Sequence, residues 1–566
     1  MEKRWAEQEK ADVQLVEKLS ELLNVDDILA NMMAKRGIST FEEAKDFFRP
    51  DLRLLHDPFL MKDMPEAIAR IEKAIENEEA ILIYGDYDVD GTTSVALTYS
   101  FFKEIHPNIS YYIPDRYKEG YGISSQGIDY AAENHYSLII ALDCGIKSVD
   151  KIAYANEKGI DFIICDHHLP GDQIPAAIAV LDPKRIDCDY PYKELSGCGI
   201  GFKLIQAYAD KNNMPFTSVE AYLDLVAVSI ASDIVPITGE NRILAFFGLK
   251  KLNENPCKGL QALIDLSGKT NDFTITDVVF NIGPRINAAG RIDDAKKAVQ
   301  LLVASSTEIA EDAGFIINLK NTERKDFDSN ITEQALNMIL NSPEMENRKS
   351  TVVYHESWHK GVIGIVASRL TEKYYRPTVV LTESNGHVAG SARSVLGYDL
   401  YEALCQCSDL LEQFGGHKYA AGLTMKTENV PAFIQRFEEV VSASITDDLL
   451  VQEISIENEL TLNKINPKFF RILNQFAPFG PQNMSPVFMS RNVSSYGIGS
   501  VVGNNHLKMS VRQQNSPAFD CIGFGLGEHL SFINNGNPFD ICYTIEENVW
   551  KEKRRIQLNI KGIKTY

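Results

Sequence analysis

Nowhere in the 566 residues is there an apolar run approaching the roughly 20 positions that a membrane-spanning helix needs. The N-terminal stretch MEKRWAEQEKADVQLVEKLSELL is charged and amphipathic, without the apolar core of a signal peptide. Cysteine is sparse and unordered. The nine thiols form no CxxC pair and no regular framework, Cys405 and Cys407 being the nearest two, so reduced thiols in a cytoplasmic protein are expected. Basic residues are outnumbered, 57 Lys and Arg against 78 Asp and Glu, for a net charge of −21. That balance argues against non-specific coating of nucleic acid, yet it leaves room for a local basic groove and for a carboxylate-rich metal site. Low-complexity segments and internal repeats are also missing. The remainder is ordinary for a globular protein of several domains, with 44% hydrophobic and 24% charged residues.

Between about residues 81 and 182 short apolar runs alternate with helix-length segments. They are ILIY (81–84), ISYYIP (109–114), LIIAL (138–142), DFIIC (161–165) and AIAVL (177–181). Their spacing suits strand–helix–strand units and their apolar continuity suits strands buried on both faces, so a doubly wound α/β domain with a parallel sheet is expected. Helical patterning dominates 215–340, and its last part reads as a connector between domains. A second, smaller α/β unit follows from TVVYHE (351) to about 445. Beyond about 450, short alternating strands with Gly and Asn turns predict a small β-barrel or sandwich.

Ligands of an open parallel sheet bind outside the carboxyl ends of its strands. After ILIY comes GDYDVDG, with Asp86, Asp88 and Asp90; after LIIAL comes Asp143; after DFIIC come Asp166, His167 and His168. Asp233, in SIASDIVP, lies where a helical pattern breaks before Pro236. Each aspartate alone is most simply a helix cap. Taken together they place more carboxylates on one edge than mutual repulsion allows without a cation. Carboxylates with imidazole and no thiolate favour Mn²⁺ or Mg²⁺, and so many ligands suit two ions about 4 Å apart sharing one carboxylate, the arrangement of phosphoryl-ester hydrolysis.

GDYDVDG, LDCG, DHH and SDIVP stand in the order and spacing of the DHH phosphodiesterases, which the chain resembles. IPDRYKEGYGIS, GPRINAAGRID, WHKGVIGIVASRL, GSARS and FGGHKYAAGL extend the resemblance to the single-stranded-DNA-specific 5′ exonucleases of that family, from about residue 40 to the end. The resemblance implies an N-terminal helical segment over 1–50, a DHH domain over 51–300, a connector helix over 301–345, a DHH-associated domain over 346–450 and an OB-like domain over 451–566. It implies two Mn²⁺ or Mg²⁺ ions. Asp88 and Asp143 would bind one, and Asp90, Asp143, His167 and Asp233 the other, with Asp143 bridging. Asp86, Asp166 and His168 would act beside the ions, His168 either bonding the scissile phosphate or orienting its neighbourhood.

Arg116, Arg285, Asn287, Arg291, Ser391 and Arg393 match the phosphate- and DNA-binding positions of the family pattern; Gly415 and Gly416 would admit the DNA backbone, and His417 would contact phosphate. Arginine suits such positions because its planar fork meets phosphate oxygens in pairs. In the OB-like region Phe479 and Trp550 are candidates for base stacking, and 550–566 carries six Lys and Arg against one acid. His359 reads as structural, and His56, His106, His135, His355 and His506 have no partner pattern.

The implied activity is stepwise degradation of single-stranded DNA to 5′-mononucleotides in repair and recombination, by a cytoplasmic monomer assisted by a helicase and a single-strand-binding protein. The alternatives are an oligoribonuclease or cyclic-dinucleotide phosphodiesterase of the same family, and a non-catalytic DNA-binding scaffold. The β domain and basic tail argue against the first, the full set of acids against the second.

Overall fold

Alternation within the apolar runs decides the architecture, because successive side chains of a strand point to opposite faces. Ile81, Ile83, Leu138, Ile140 and Leu142 enter one buried core, whereas Leu82, Tyr84, Ile139 and Ala141 enter another. The computed structural model, which describes residues 3–292, 294–550 and 553–565 without the side chains of 549, 550 and 553, folds these runs into a five-stranded parallel sheet. The order is Ile109–Tyr112, Ala80–Gly85, Tyr136–Leu142, Asp161–Cys165, Ala179–Leu181. Each expected strand is present within a few residues of its expected limits. Helices Met64–Glu76, Val89–Lys103 and Gly197–Lys211 cover one face, Ser125–Glu133 and Val149–Glu157 the other. The fold is thus doubly wound. Strand order reverses between Ala80–Gly85 and Tyr136–Leu142, the position at which such sheets bind ligands.

The described residues form two compact units. The first comprises 14–321 with 471–485; the second comprises 1–13, 322–470 and 486–566. The division between the two units at 321/322 falls within the 34-residue helix Thr307–Leu340.

The second unit contains a mixed sheet in the order Gln413–His417, Ala420–Met425, His387–Arg393, Thr378–Ser384, Thr351–Tyr354, parallel only in its last pairing. It also contains a seven-stranded sheet closed by pairing of Ser494 with Arg512 and Ser495 with Val511, which is the expected barrel.

Two boundaries differ from the sequence expectation. The N-terminal segment is not wholly helical: Arg4–Glu7 is a strand that pairs in parallel with Glu453–Ile456, and Lys564 stands 4.6 Å over the Trp5 ring. Such a pairing joins residues some 450 positions apart and leaves no local pattern. Nor does 451–566 stay together, since 471–485 packs with the first unit. Arg242 donates to the carbonyls of Phe476 and Gln475 at 2.8 and 3.2 Å, and Pro481 O accepts from Ile237 N at 2.8 Å. Phe479, half-buried there, belongs to this packed segment, and Trp550's side chain lies outside the described residues. The cysteines are all free, and among the described residues no helix is long and apolar enough to cross a membrane.

Candidate active site

The strand Ala80–Gly85 ends in GDYDVDG, and its acids take different tasks at once. Asp88 is the N-cap of helix Val89–Lys103, accepting from Gly91 N at 3.0 Å, so capping and membership of the acid cluster coincide in one side chain. Asp90, in the first turn of that helix, is buried and reaches the N-terminus of helix Gly197–Lys211. Its carboxylate accepts from Gly197 N at 2.7 Å, Cys198 N at 2.8 Å and Ser229 Oγ at 2.7 Å. A helix N-terminus stabilises an anion through its free N–H groups and dipole. Asp86 is fully buried, with Oδ1 accepting from Gly122 N at 3.3 Å.

Asp143 leaves the next strand in the left-handed region at φ 58°, a conformation that aspartate tolerates better than most residues. A Cβ at Gly197 would lie 2.7 to 2.9 Å from the Asp143 side chain, so glycine is what lets this helix end approach. Asp233 follows helix Leu223–Ser232 as its C-cap, and Ile234 after it is held at φ 60°, a strained conformation for a β-branched residue.

These groups converge on His167. Its Nε2 lies 3.2 Å from Asp143 Oδ1, 3.6 Å from Asp233 Oδ2 and 3.8 Å from Asp90 Oδ2. Asp90, His167 and Asp233 offer ligand atoms within 4.8 Å of one another, as do Asp143, His167 and His168. Both ring nitrogens of His167, Asp143 Oδ1 and Asp86 Oδ2 are buried without a hydrogen-bond partner. Burial and the charges of Asp90 and Asp88 push the Asp143 carboxyl well above the usual range, and the same causes raise Asp233 to about 8. Burial likewise holds His167 below its ordinary value, in the neutral form a metal ligand requires. Orphaned donors and mutually repelling acids with hard or borderline ligand atoms fit divalent ions such as Mn²⁺ or Mg²⁺.

Asp166 is held differently. It is buried and accepts from Ile146 N, His167 N and His168 N at 2.8, 2.8 and 3.1 Å, and from His168 Nδ1 at 2.7 Å. Burial would raise its carboxyl, but these bonds keep it below the usual value. Burial likewise opposes the charge on His168, and the Asp166 contact prevails, raising it to about 9. Asp166 therefore orients the His168 ring and pins the backbone at His167 rather than joining the convergent set.

Among the expected phosphate-binding residues, the structure keeps several at this edge. The Arg116 guanidinium lies 4.9 Å over the Tyr87 ring, between Asp86 and Asp88 in sequence. Helix Gly283–Ile292 carries Asn287 and Arg291 four residues apart on one face, both half-buried, and its Gly290 packs against the Tyr87 carbonyl. Arg285 points elsewhere. It is buried and donates to Asn281 O at 2.6 Å, Asn318 Oδ1 at 3.0 Å and Leu266 O at 3.2 Å, so its fork is committed inside the helical region rather than offered to phosphate.

In the second unit, strand register brings GSARS and GGHKYAAG side by side: Arg393 and His417 both pair with Ala420, and Ser391 with Gly422. Arg393 Nη1 donates to Ser391 Oγ at 3.1 Å, and both side chains lie against Gly364 in the first turn of helix Ile363–Tyr374. Gly415, Gly416 and His417 are exposed. Gly416 sits at φ 150°, where a Cβ would meet Ala420 O at 2.3 Å. His359 stacks on Phe327 and accepts from Gly361 N, a structural role. Several cations of the basic stretch are engaged, Arg554 with Glu547, Arg555 with Asp520 and Lys564 with Trp5.

Sequence reasoning missed Gly197, Cys198, Ser229 and Tyr121. SGCG before a helical pattern is a helix-start signal, but its target, Asp90, lies 107 residues away.

Descriptions of three domain families match the chain: the DHH family, N-terminal domain, at 80–230, the DHHA1 domain at 347–443, and the RecJ OB domain at 456–562. The single-stranded-DNA-specific exonuclease RecJ of Bacillus subtilis is 37% identical over 565 residues, 99% of this chain and 70% of that protein. The exonuclease of the same name from Salmonella typhimurium is 31% identical over 95% of each. The crystal structure of RecJ in complex with Mn²⁺ from Thermus thermophilus superposes with a TM-score of 0.85 at 26% identity, covering all of this chain and 80% of that one. With its acids and His167 gathered at the switch point of a DHH-type sheet, and relatives matched over nearly all of this chain, the chain belongs to the RecJ family of single-stranded-DNA-specific exonucleases.

Proposed function

We propose that the chain hydrolyses single-stranded DNA stepwise from the 5′ end to 5′-mononucleotides, serving DNA repair and recombination. The observation that carries this reading is the convergence of Asp90, Asp143 and Asp233 on a buried His167 whose ring nitrogens lack partners. Asp88 and Asp143 would hold one divalent ion, and Asp90, Asp143, His167 and Asp233 the other. When bound, two such ions supply charge stabilisation on the phosphate oxygens and a lowered pKa for the attacking water. His168, anchored on Asp166, faces the substrate side and hydrogen-bonds the scissile phosphate. Arg116, Asn287 and Arg291 carry fixed polar groups for the strand, and Ser391, Arg393 and His417 are assigned to 5′-phosphate recognition, with Gly415 and Gly416 admitting backbone.

A barrel matching the RecJ OB domain supports a long strand over a dinucleotide as substrate. On this reading the protein is a cytoplasmic monomer, aided by a helicase and a single-strand-binding protein. The test is an oligonucleotide labelled at either end and incubated with Mn²⁺. Release of a 5′ label as mononucleotide at the outset, with a 3′ label released last, is expected. Early release of the 3′ label, or preference for a dinucleotide, would contradict the assignment.

A further inference from the structure

Tyr121 stands beside the acid cluster, and no part of the mechanism above uses it. The residue is 56% exposed, and its hydroxyl lies 3.1 Å from His168 Nε2. On the other side of that imidazole, Nδ1 meets Asp166 Oδ1 at 2.7 Å. Asp166 is itself immobilised by three backbone N–H groups. The three side chains form a continuous chain from a buried carboxylate to a solvent-facing phenol, with His168 held at both nitrogens.

The segment carrying Tyr121 is constructed to keep it there. Gly120 and Gly122 flank it at φ 88° and 79°, and Gly122 N donates to Asp86 Oδ1. The Tyr121 ring meets Tyr87 edge to face at 6.1 Å, and the Arg116 guanidinium also lies over the Tyr87 ring. Tyr117, four residues earlier, bonds the Arg291 carbonyl through its own hydroxyl. An exposed aromatic loop with this many ties to one cluster is placed, not incidental.

We infer that Tyr121 is a positioning residue for His168: its hydroxyl fixes the plane and reach of the imidazole that meets the scissile phosphate. A ring held only through Nδ1 swings about that bond, whereas a second contact at Nε2 selects one orientation. Its hydroxyl also occupies the Nε2 side from which a phosphate oxygen arrives, so the phenol yields or shares that bond as the strand seats. The contribution is to the rate of the bond-breaking step rather than to affinity for DNA.

This inference rests on the phosphodiesterase reading, and the experiment separates the two. Single-turnover cleavage of a 5′-phosphorylated single strand by the full chain in Mn²⁺ is compared for the parent, Tyr121→Phe, His168→Asn and the double variant, with DNA affinity measured alongside. Tyr121→Phe keeps the ring contact with Tyr87 and removes only the hydroxyl. It is expected to slow cleavage about tenfold at unchanged affinity, with no additional loss in the His168→Asn background. A parental rate for Tyr121→Phe, a loss confined to affinity, or full multiplication of the two effects overturns the inference. Absence of cleavage by the parent itself defeats the functional reading instead.

Discussion

At the carboxyl edge of the parallel sheet, Asp90 accepts three hydrogen bonds from another helix and its neighbour, and Asp166 accepts four. On the mixed sheet of the second unit, Arg393 bonds Ser391 and a carbonyl on its own strand, while Gly415, Gly416 and His417 stand exposed. The first region gathers like charges, and hydrogen bonds hold Asp90 and Asp166 in place. Burial and neighbouring charges raise Asp143 and Asp233, whereas hydrogen bonds hold Asp166 below the usual value, and a divalent cation would relieve the repulsion that remains. The second is more open, and strand register sets its residues side by side. Chemistry that needs fixed ligands belongs to the first arrangement, and recognition of a mobile strand end suits the second.

The largest effect expected from breaking the first region is that of Asp143→Ala, which should lower Mn²⁺-dependent cleavage by about a thousandfold or more while DNA binding persists. Its isosteric relative gives a sharper contrast. Asp143→Asn removes one of several crowded charges, so in EDTA the variant should melt above the parent; with Mn²⁺ the order should reverse, because the parent alone gains full metal stabilisation. Calorimetry under both conditions reads the two melting points. Gly197→Ala comes next. The new Cβ would press on the Asp143 side chain, and a loss of about 10- to 100-fold in cleavage rate with an intact fold, judged by circular dichroism, is expected.

The second region should respond in specificity rather than rate. Arg393→Ala should reduce the preference for 5′-phosphorylated over 5′-hydroxyl strands about tenfold, as loss of one charge-assisted contact implies. Arg285→Ala, by contrast, should leave that preference unchanged and lower stability by about 1–3 kcal/mol in denaturant titration, since its bonds are internal. A shift in preference on changing Arg285 would return it to the DNA surface.

The parallel sheet was legible in the sequence because doubly buried strands are continuous apolar runs and the acids fall directly after them. The barrel was legible through its short alternating strands. Long-range choices were not legible. Arg4–Glu7 is too short to distinguish itself from a helical start, and its partner strand lies at 453–456. The APFGPQN segment lies between two strands of the barrel sheet in sequence, but Asn483 and the Pro481 carbonyl are met by Arg36 and Ile237 of the first unit, and Arg242 takes the carbonyls of Gln475 and Phe476 just before it. In the site, residue type located the acids and histidines, whereas the helix end that anchors Asp90 and the hydroxyl that meets His168 depend on folding. Arg285 shows the converse: a motif arginine with the right chemistry can be turned inward by the face of its helix.

Mn²⁺ binding measured by calorimetry on the parent chain and on His167→Ala tests the central claim most directly, without reference to nuclease activity. Two ions per chain for the parent, with one site lost or weakened at least about tenfold in the variant, is the predicted result. No Mn²⁺ uptake by the parent, or the same stoichiometry and affinity in both proteins, would contradict a metal centre built on His167 and its aspartates.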